Sequence, residues 1–310
     1  MPPRSPLPQR EGLDASWIRT PDNVPGVSAP WATMRDFLDE RLGAHADVGA
    51  GLASGLFVQA DGRPWRGFEP YRGNAFVWFH RRRAPELVVP SPLVVLHADE
   101  RLVVVDKPHY LATTPRGTHA TESVVAKLRL MLGNGDLVPA HRLDRLTAGV
   151  LVLTADRRFR GSYAGLFASG AAIKTYEAIA GLDPALTFPR TLTGRIVKRR
   201  DSLQAELVEG EPNASTLVEL VEARGAFGRY RLTPATGKTH QLRLQLASLG
   251  VPIVGDPLYP DVLDPDPADF SDPLRLVARR LEFADPVDGV PRAFESLTPL
   301  TWPDGAVVAD

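Results

Sequence analysis

The chain is expected to fold as an α+β protein. A mixed, mostly antiparallel central sheet carries flanking helices and follows a small N-terminal α/β module. Three observations predict this. Apolar strand-like runs outnumber helical ones. They do not alternate regularly with helices, as a doubly wound fold requires. Gly and Pro punctuate them at short intervals, which favours tight turns.

Residues 1–30 are rich in Pro and Gly, lack a periodic apolar pattern and read as an extended N-terminal arm anchored by Trp17. Residues 31–85 read as the small module. Met34, Phe37, Leu38 and Leu42 follow helical spacing. Phe57-Val58-Gln59 and residues 75–79 read as short strands around the turn Asp61-Gly62-Arg63-Pro64. The segment 81–92, basic and then Pro-containing, is the linker to a larger domain over 93–310. Strands are expected at 93–96 and 101–105, around Ala98-Asp99-Glu100. A helix is expected at 121–132, with Thr121 as cap and Val124, Leu128 and Met131 on one face. Residues 150–154 read as a strand, 156–168 as a helix and 174–180 as a strand. Several strands fall within 191–221 and another over 229–233. An amphipathic helix over 239–249 stops at Gly250, a residue suited to a helix C-terminus.

Hydrophobic content of 44% and charged content of 24% are ordinary for a soluble globular protein. No apolar run reaches bilayer-spanning length, and residues 1–20 lack the apolar core of a signal peptide. Zero cysteines exclude disulfides, a thiol nucleophile and cysteine zinc sites, and fit a cytoplasmic protein. A net charge of −1 weighs against a large nonspecific nucleic-acid footprint but leaves room for one basic cleft. The short basic runs 81–83, 198–200 and 279–280 read as solvated faces. Acid is concentrated over 261–272, which is expected to lie away from any polyanion.

The most informative run is His141-Arg142-Leu143-Asp144-Arg145-Leu146-Thr147-Ala148-Gly149, followed by the apolar stretch Val150-Leu151-Val152-Leu153. One carboxylate stands between two arginines, in a polar turn feeding a buried strand. Fixed positive charge nearby favours the ionised form, which can act as a nucleophile. A surface Asp paired with Arg is the plain alternative.

This run resembles the signature of the RluA-type family of RNA pseudouridine synthases, H-R-L-D-x-x-T-S-G followed by aliphatics. Three further segments match in the family's order. Val103-Val104-Val105-Asp106-Lys107-Pro108 resembles its opening strand and D-K-P turn, and Lys174-Thr175-Tyr176-Glu177-Ala178 its K-x-Y-x-A strand. Pro234 to Arg243 resembles its T-G-R-x-H-Q-I-R segment and runs on into Gly250 to Tyr259, again family-like. Ala148 stands where the family usually has Ser, and Lys238 where it usually has Arg. His109-Tyr110 and Thr113-Thr114-Pro115 replace a P-S-G-L…V-H-P stretch.

The resemblance implies isomerisation of uridines in structured ribosomal or transfer RNA, with no metal, redox or nucleotide cofactor. It assigns Asp144 as the catalytic carboxylate, Tyr176 as a stacking platform for the extruded base and Arg243 as the partner of Asp144. A core tyrosine and a surface arginine are the plain alternatives. Arg142 is expected to fill the gap left by the flipped base, and otherwise to contact a phosphate or form a simple salt bridge. His141, Arg145 and Thr147 shape the turn or touch phosphates. Lys238, His240 and Gln241, with Thr239, start a helix after Gly237, where backbone N–H groups suit an anion. Residues 31–85 are vaguely similar to the small αL-type RNA-binding domain that often precedes this catalytic domain. Their first helix carries Asp36, Asp39 and Glu40, so a degenerate RNA-binding module and a packing domain without an RNA role are weighed equally. The expected partner is RNA, with no membrane, and the expected state is a monomer. The alternative function is an RNA-binding protein of the same fold without turnover. A remoter one is a hydrolase of small phosphate or other esters.

Overall fold

The computed structural model describes residues 3–22, 29–44 and 46–306. The chain divides into two units, Met1–Glu86 and Leu87–Asp310. The first holds β1 (Ser16–Arg19), α1 (Met34–Leu42), α2 (Val48–Ala53) and β2 (Phe76–Phe79). Thr33 caps α1: its hydroxyl accepts from the Asp36 N–H while the Asp36 carboxylate accepts from its own N–H. Met34, Phe37, Leu38, Leu52, Phe57 and Trp65 form the core of this unit. Residues 1–30 are not only an extended arm. β1 pairs antiparallel with β2, Trp17 lying opposite Trp78. It takes the place expected for 57–59, where only isolated bridges link Val58 to Pro64 and Trp78. Residues 23–28 of the expected arm lie outside the described residues.

The second unit is a mixed, mostly antiparallel sheet with few helices, as its strand-rich sequence predicts. Its strands are β3 (Val94–Ala98), β4 (Leu102–Lys107), β5 (Val138–Pro139), β6 (Ala148–Thr154), β7 (Ile173–Gly181), β8 (Arg190–Val197), β9 (Glu206–Val208), β10 (Ala214–Arg224), β11 (Phe227–Pro234), β12 (Leu276–Ala284) and β13 (Pro291–Glu295). Its helices are α3 (Val124–Leu132), α4 (Arg160–Ala168) and α5 (Gln241–Ser248). The order is β3-β4-β6-β12-β7-β11-β10-β8-β9, with β5 beside β6 and β13 beside β12. Among the strands of the described residues, only the pair β6 and β12 runs parallel. Ser123, not Thr121, caps α3 through a hydrogen bond from Ala126 N–H.

Both β4 and β6 are buried along their whole length. Side chains alternate across a strand, so each supplies two cores. Val103, Val105, Leu151 and Leu153 pack with Val124, Val125 and Leu128 of α3. Leu102, Val104, Val150 and Val152 pack with Tyr163 and Leu166 of α4. That double coverage is why both strands read as unbroken apolar runs. Leu242 and Leu246 anchor α5 in a third core with Ala178, Ala180, Val218 and Leu232. Each such leucine contributes about 1.5–3 kcal/mol by leaving water.

Gly149 is fixed by the one parallel junction. It lies opposite Ala278 with φ of 116°, and a Cβ there would stand 2.3 Å from the Ala278 carbonyl oxygen. Neither the dihedral nor the backbone approach admits a side chain. Gly149→Ala should therefore destabilise the protein by roughly 2–4 kcal/mol, read as a lower urea midpoint. An unchanged midpoint would show that the junction yields.

Candidate active site

Three of the four motif-matching segments contribute to one cleft of about 820 Å³, while Val103 to Pro108 lies outside its lining. It is walled by residues 139–144 and Thr147, by the end of α4 and the start of β7, by the passage from β11 into α5 and by Leu276 of β12. Asp144 is the one carboxylate among the described residues that line it.

The Asp144 turn is held by the segment after β4. Lys107 is fully buried and donates from Nζ to the carbonyls of Pro108 (3.0 Å), Leu111 (2.9 Å) and Arg145 (3.1 Å). Burial drives its ammonium down to about 7. Thr113 Oγ1 donates to the Leu143 carbonyl (2.7 Å) and accepts from the Leu143 N–H (3.2 Å). His109 Nδ1 lies 2.7 Å from the Leu146 carbonyl, which requires the proton on Nδ1. His109 and Thr113, two positions that depart from the family pattern, therefore secure the backbone of the turn.

Arg243 comes from α5 and is buried at 2% exposure. Its Nε and Nη2 donate to the Asp256 carboxylate at 2.8 and 2.5 Å. Asp256 also accepts from the Leu258 and Tyr259 N–H groups. The remaining Nη1 lies 3.8 Å from Asp144 Oδ2. Burial opposes the guanidinium charge, but hydrogen bonding and charge from Asp256 outweigh it and hold Arg243 above its ordinary value. The sequence reading joined Arg243 to Asp144 but missed Asp256, although that residue falls in the family-like segment ending at Tyr259.

His240, at the start of α5, approaches the same oxygen of Asp144. It adopts a left-handed φ of 58° before α5, a backbone cost of about 1 kcal/mol or more outside glycine. That turn sets its Nε2 4.0 Å from Asp144 Oδ2 and its Nδ1 3.1 Å from the Tyr259 hydroxyl. Burial lowers its imidazole, partly countered by Asp144. Tyr176 packs against the cores on both sides of the cleft. Burial and the Asp144 charge raise its phenol far above the ordinary range, so it stays protonated at neutral pH.

Other expected residues fall differently. Neither Arg142 nor Arg145 pairs with Asp144. Arg142 is exposed at the cleft without an ion pair among the described residues. The Arg145 guanidinium lies 6.0 Å over the Tyr110 ring, whose edge-on partner is Phe270 at 5.1 Å. Phe270, from the acidic stretch 261–272, thus reaches the Asp144 turn through Tyr110. His141 Nε2 accepts the Val152 N–H at 3.1 Å, and its ring stacks on Phe167. Burial pushes it down to about 3, so it is neutral and serves the turn. Thr147 is buried and closes the turn by donating its N–H to the Asp144 carbonyl. Gln241 is not available for RNA. Its amide accepts from Thr236 and the Lys238 N–H and donates to Ser215 and Thr216. Gln241 takes the Lys238 N–H and the Lys238 carbonyl takes the Gln241 N–H, so two of the backbone donors expected to meet an anion at the start of α5 are committed within the chain; the Lys238 side chain remains exposed.

A family model described as RNA pseudouridylate synthase matches residues 101–248. A tRNA pseudouridine synthase C from Vibrio cholerae is 34% identical over 185 residues, covering 54% of this chain and 75% of that protein. RNA pseudouridine synthase 7 from Arabidopsis thaliana is 28% identical over 72% of this chain, which spans only 59% of that relative's length. Among solved structures, human RNA pseudouridylate synthase domain containing 4 is 26% identical with a TM-score of 0.52, covering 66% of this chain and 88% of that one.

Two outcomes follow from this geometry. Asp256→Asn strips a buried guanidinium of its counter-charge and should cost about 3–5 kcal/mol, measured by urea unfolding; a loss below about 1 kcal/mol would contradict the pairing. His109 is lowered by burial from 6.5 to about 4, so the unfolded chain binds its proton first as pH falls. Its contribution is fully present above pH 6.5 and is lost as pH drops toward 4. His109→Gln, which keeps a donor for Leu146, should make the acid-side decline in stability shallower by up to about 1.4 kcal/mol per pH unit. Parallel curves for the two proteins would refute it.

Proposed function

Because the chain belongs to the RluA-type family of RNA pseudouridine synthases, we propose that it converts specific uridines of structured RNA to pseudouridine, with Asp144 as the catalytic carboxylate. One observation carries the reading. The sole carboxylate lining the cleft among the described residues has the buried Arg243 and His240 facing its Oδ2, in a cleft that Tyr176 also lines.

The reaction breaks the bond from ribose C1′ to uracil N1, turns the base and joins C1′ to C5. The C5 proton is lost and N1 gains one, so nothing is oxidised and no group leaves. Asp144 supplies negative charge against the electron-poor sugar or base as the glycosidic bond breaks. Arg243 fixes the carboxylate's direction, since its own fork is already anchored by Asp256. The Tyr176 ring supports the extruded uracil, and its protonated phenol supplies a hydrogen bond. Extrusion from a folded RNA costs a few kcal/mol. Arg142, exposed and uncommitted at the cleft, fills the gap left in the stack. The Vibrio cholerae relative is named for tRNA; transfer and ribosomal RNA are the proposed substrates, acted on by a cytoplasmic monomer. No helix among the described residues is long and apolar enough to cross a membrane.

Pseudouridine mapping by mass spectrometry, in cells lacking the gene and complemented in turn by each form, tests this. Wild type should restore one or a few sites. Asp144→Asn should fold normally yet form product about 10³-fold more slowly or worse. Product formed by Asp144→Asn at the wild-type rate would remove Asp144 from catalysis. RNA binding by wild type without product on any RNA would leave a binding protein.

A further inference from the structure

Lys174 is a cation that the roles above leave unused. It lies on β7 two residues before Tyr176 and lines the same cleft. Strand side chains two apart share a face, separated by about 6.6 Å. Among the described residues its amine has neither a hydrogen bond nor an ion pair. It is only partly exposed, and burial lowers its ammonium below the ordinary value. Its charge reaches His141 on one side. On the other, a Cβ at Gly237 would lie 3.9 Å from Nζ, so the absent side chain leaves the amine uncovered there.

A desolvated amine without a partner destabilises the free protein. The other cleft cations differ. Arg243 is committed to Asp256 and Asp144, while Arg142 and Lys238 sit in water and pay no such cost. Lys174 thus has an open place for one anion, on the face that carries Tyr176 and a strand step away from it. If Tyr176 supports the extruded base, the nearest anion of that nucleotide is its own backbone phosphate. A lysine suits a phosphate as a compact point charge.

We propose that Lys174 is a positioning residue that binds the backbone phosphate next to the extruded uridine and so seats the base on Tyr176. This rests on the uridine-isomerising reading, since the base defines which phosphate is near.

The test compares wild type, Lys174→Met and Lys174→Arg on bulk transfer and ribosomal RNA from cells lacking the gene. It measures binding against salt, thermal melting, and initial rates of pseudouridine formation. With Lys174→Met the slope of log K against log salt should shrink by about 0.7–0.9, the value for one phosphate contact. Affinity should fall about tenfold at low salt. The loss should appear in KM more than in kcat. Lys174→Met should melt at or above the wild-type temperature, because a desolvated charge has gone. Lys174→Arg should restore most of the slope. Free inorganic phosphate should weaken RNA binding only at high concentration, which separates a nucleotide-borne phosphate from a free-anion site.

An unchanged slope in a folded Lys174→Met protein overturns the proposal. So does a lower melting temperature with the wild-type slope, which marks a structural lysine. If Lys174→Met does not fold, a Lys174→Arg protein that folds but fails to keep the slope overturns it as well. Failure of the underlying reading looks different: wild type itself then forms no pseudouridine on either RNA.

Discussion

The ion pair between Arg243 and Asp256 is the constraint on which the site depends. Taking a guanidinium out of water costs several kcal/mol unless its charge and its donors are met. Asp256 meets both through a two-pronged contact, and two N–H groups of its own loop complete the carboxylate. What remains is one guanidinium nitrogen with a fixed direction, and Asp144 lies along it. The same segment presents Tyr259, whose ring lies under the guanidinium and whose hydroxyl orients His240. The Arg243 and His240 neighbours of Asp144 are thus positioned by one loop, and by a helix whose leucines tie it to the third core.

The geometry around Asp144 also separates scaffold from chemistry. Lys107, His109 and Thr113 hold the turn through backbone carbonyls and one N–H, leaving the carboxylate free to face the cleft. Backbone contacts constrain side-chain identity less than a reacting atom does. The departures from the family pattern at 109 and 113 therefore leave the backbone support of the turn in place.

Much of this was legible in the sequence because the signals were local. The strand-rich pattern predicted the sheet, and the turn before an all-apolar run placed Asp144 at a strand end. Spacing on α5 left Arg243 at the boundary of its apolar face; only the fold shows it buried. The unread parts were long-range or mixed in polarity. β12, inserted between β6 and β7, carries Arg279, Arg280 and Glu282 and so lacks a strand's clean alternation. Glu177 meets Arg279 from the neighbouring strand, which no spacing rule encodes. Two arginines beside Asp144 suggested its charge partners, yet adjacent residues point apart and the partners come from about a hundred positions away. Gln241 read as a polar ligand residue because a sequence does not reveal that all its hydrogen bonds are already made.

The insertion of β12 bears on the order of events during synthesis. A ribosome completes β6 and β7 long before it reaches residues 276–284, and at 5–20 residues per second the wait is on the order of ten seconds. Until then the inner edges of both strands lack their common neighbour, and Asp256 has only just joined the chain. The nascent protein can bury the early cores around β4 and β6 but cannot complete the cleft. Assembly of the cleft is thereby deferred until nearly the whole second unit has emerged, so a truncated translation product would carry the Asp144 turn without Arg243 and Asp256 beside it.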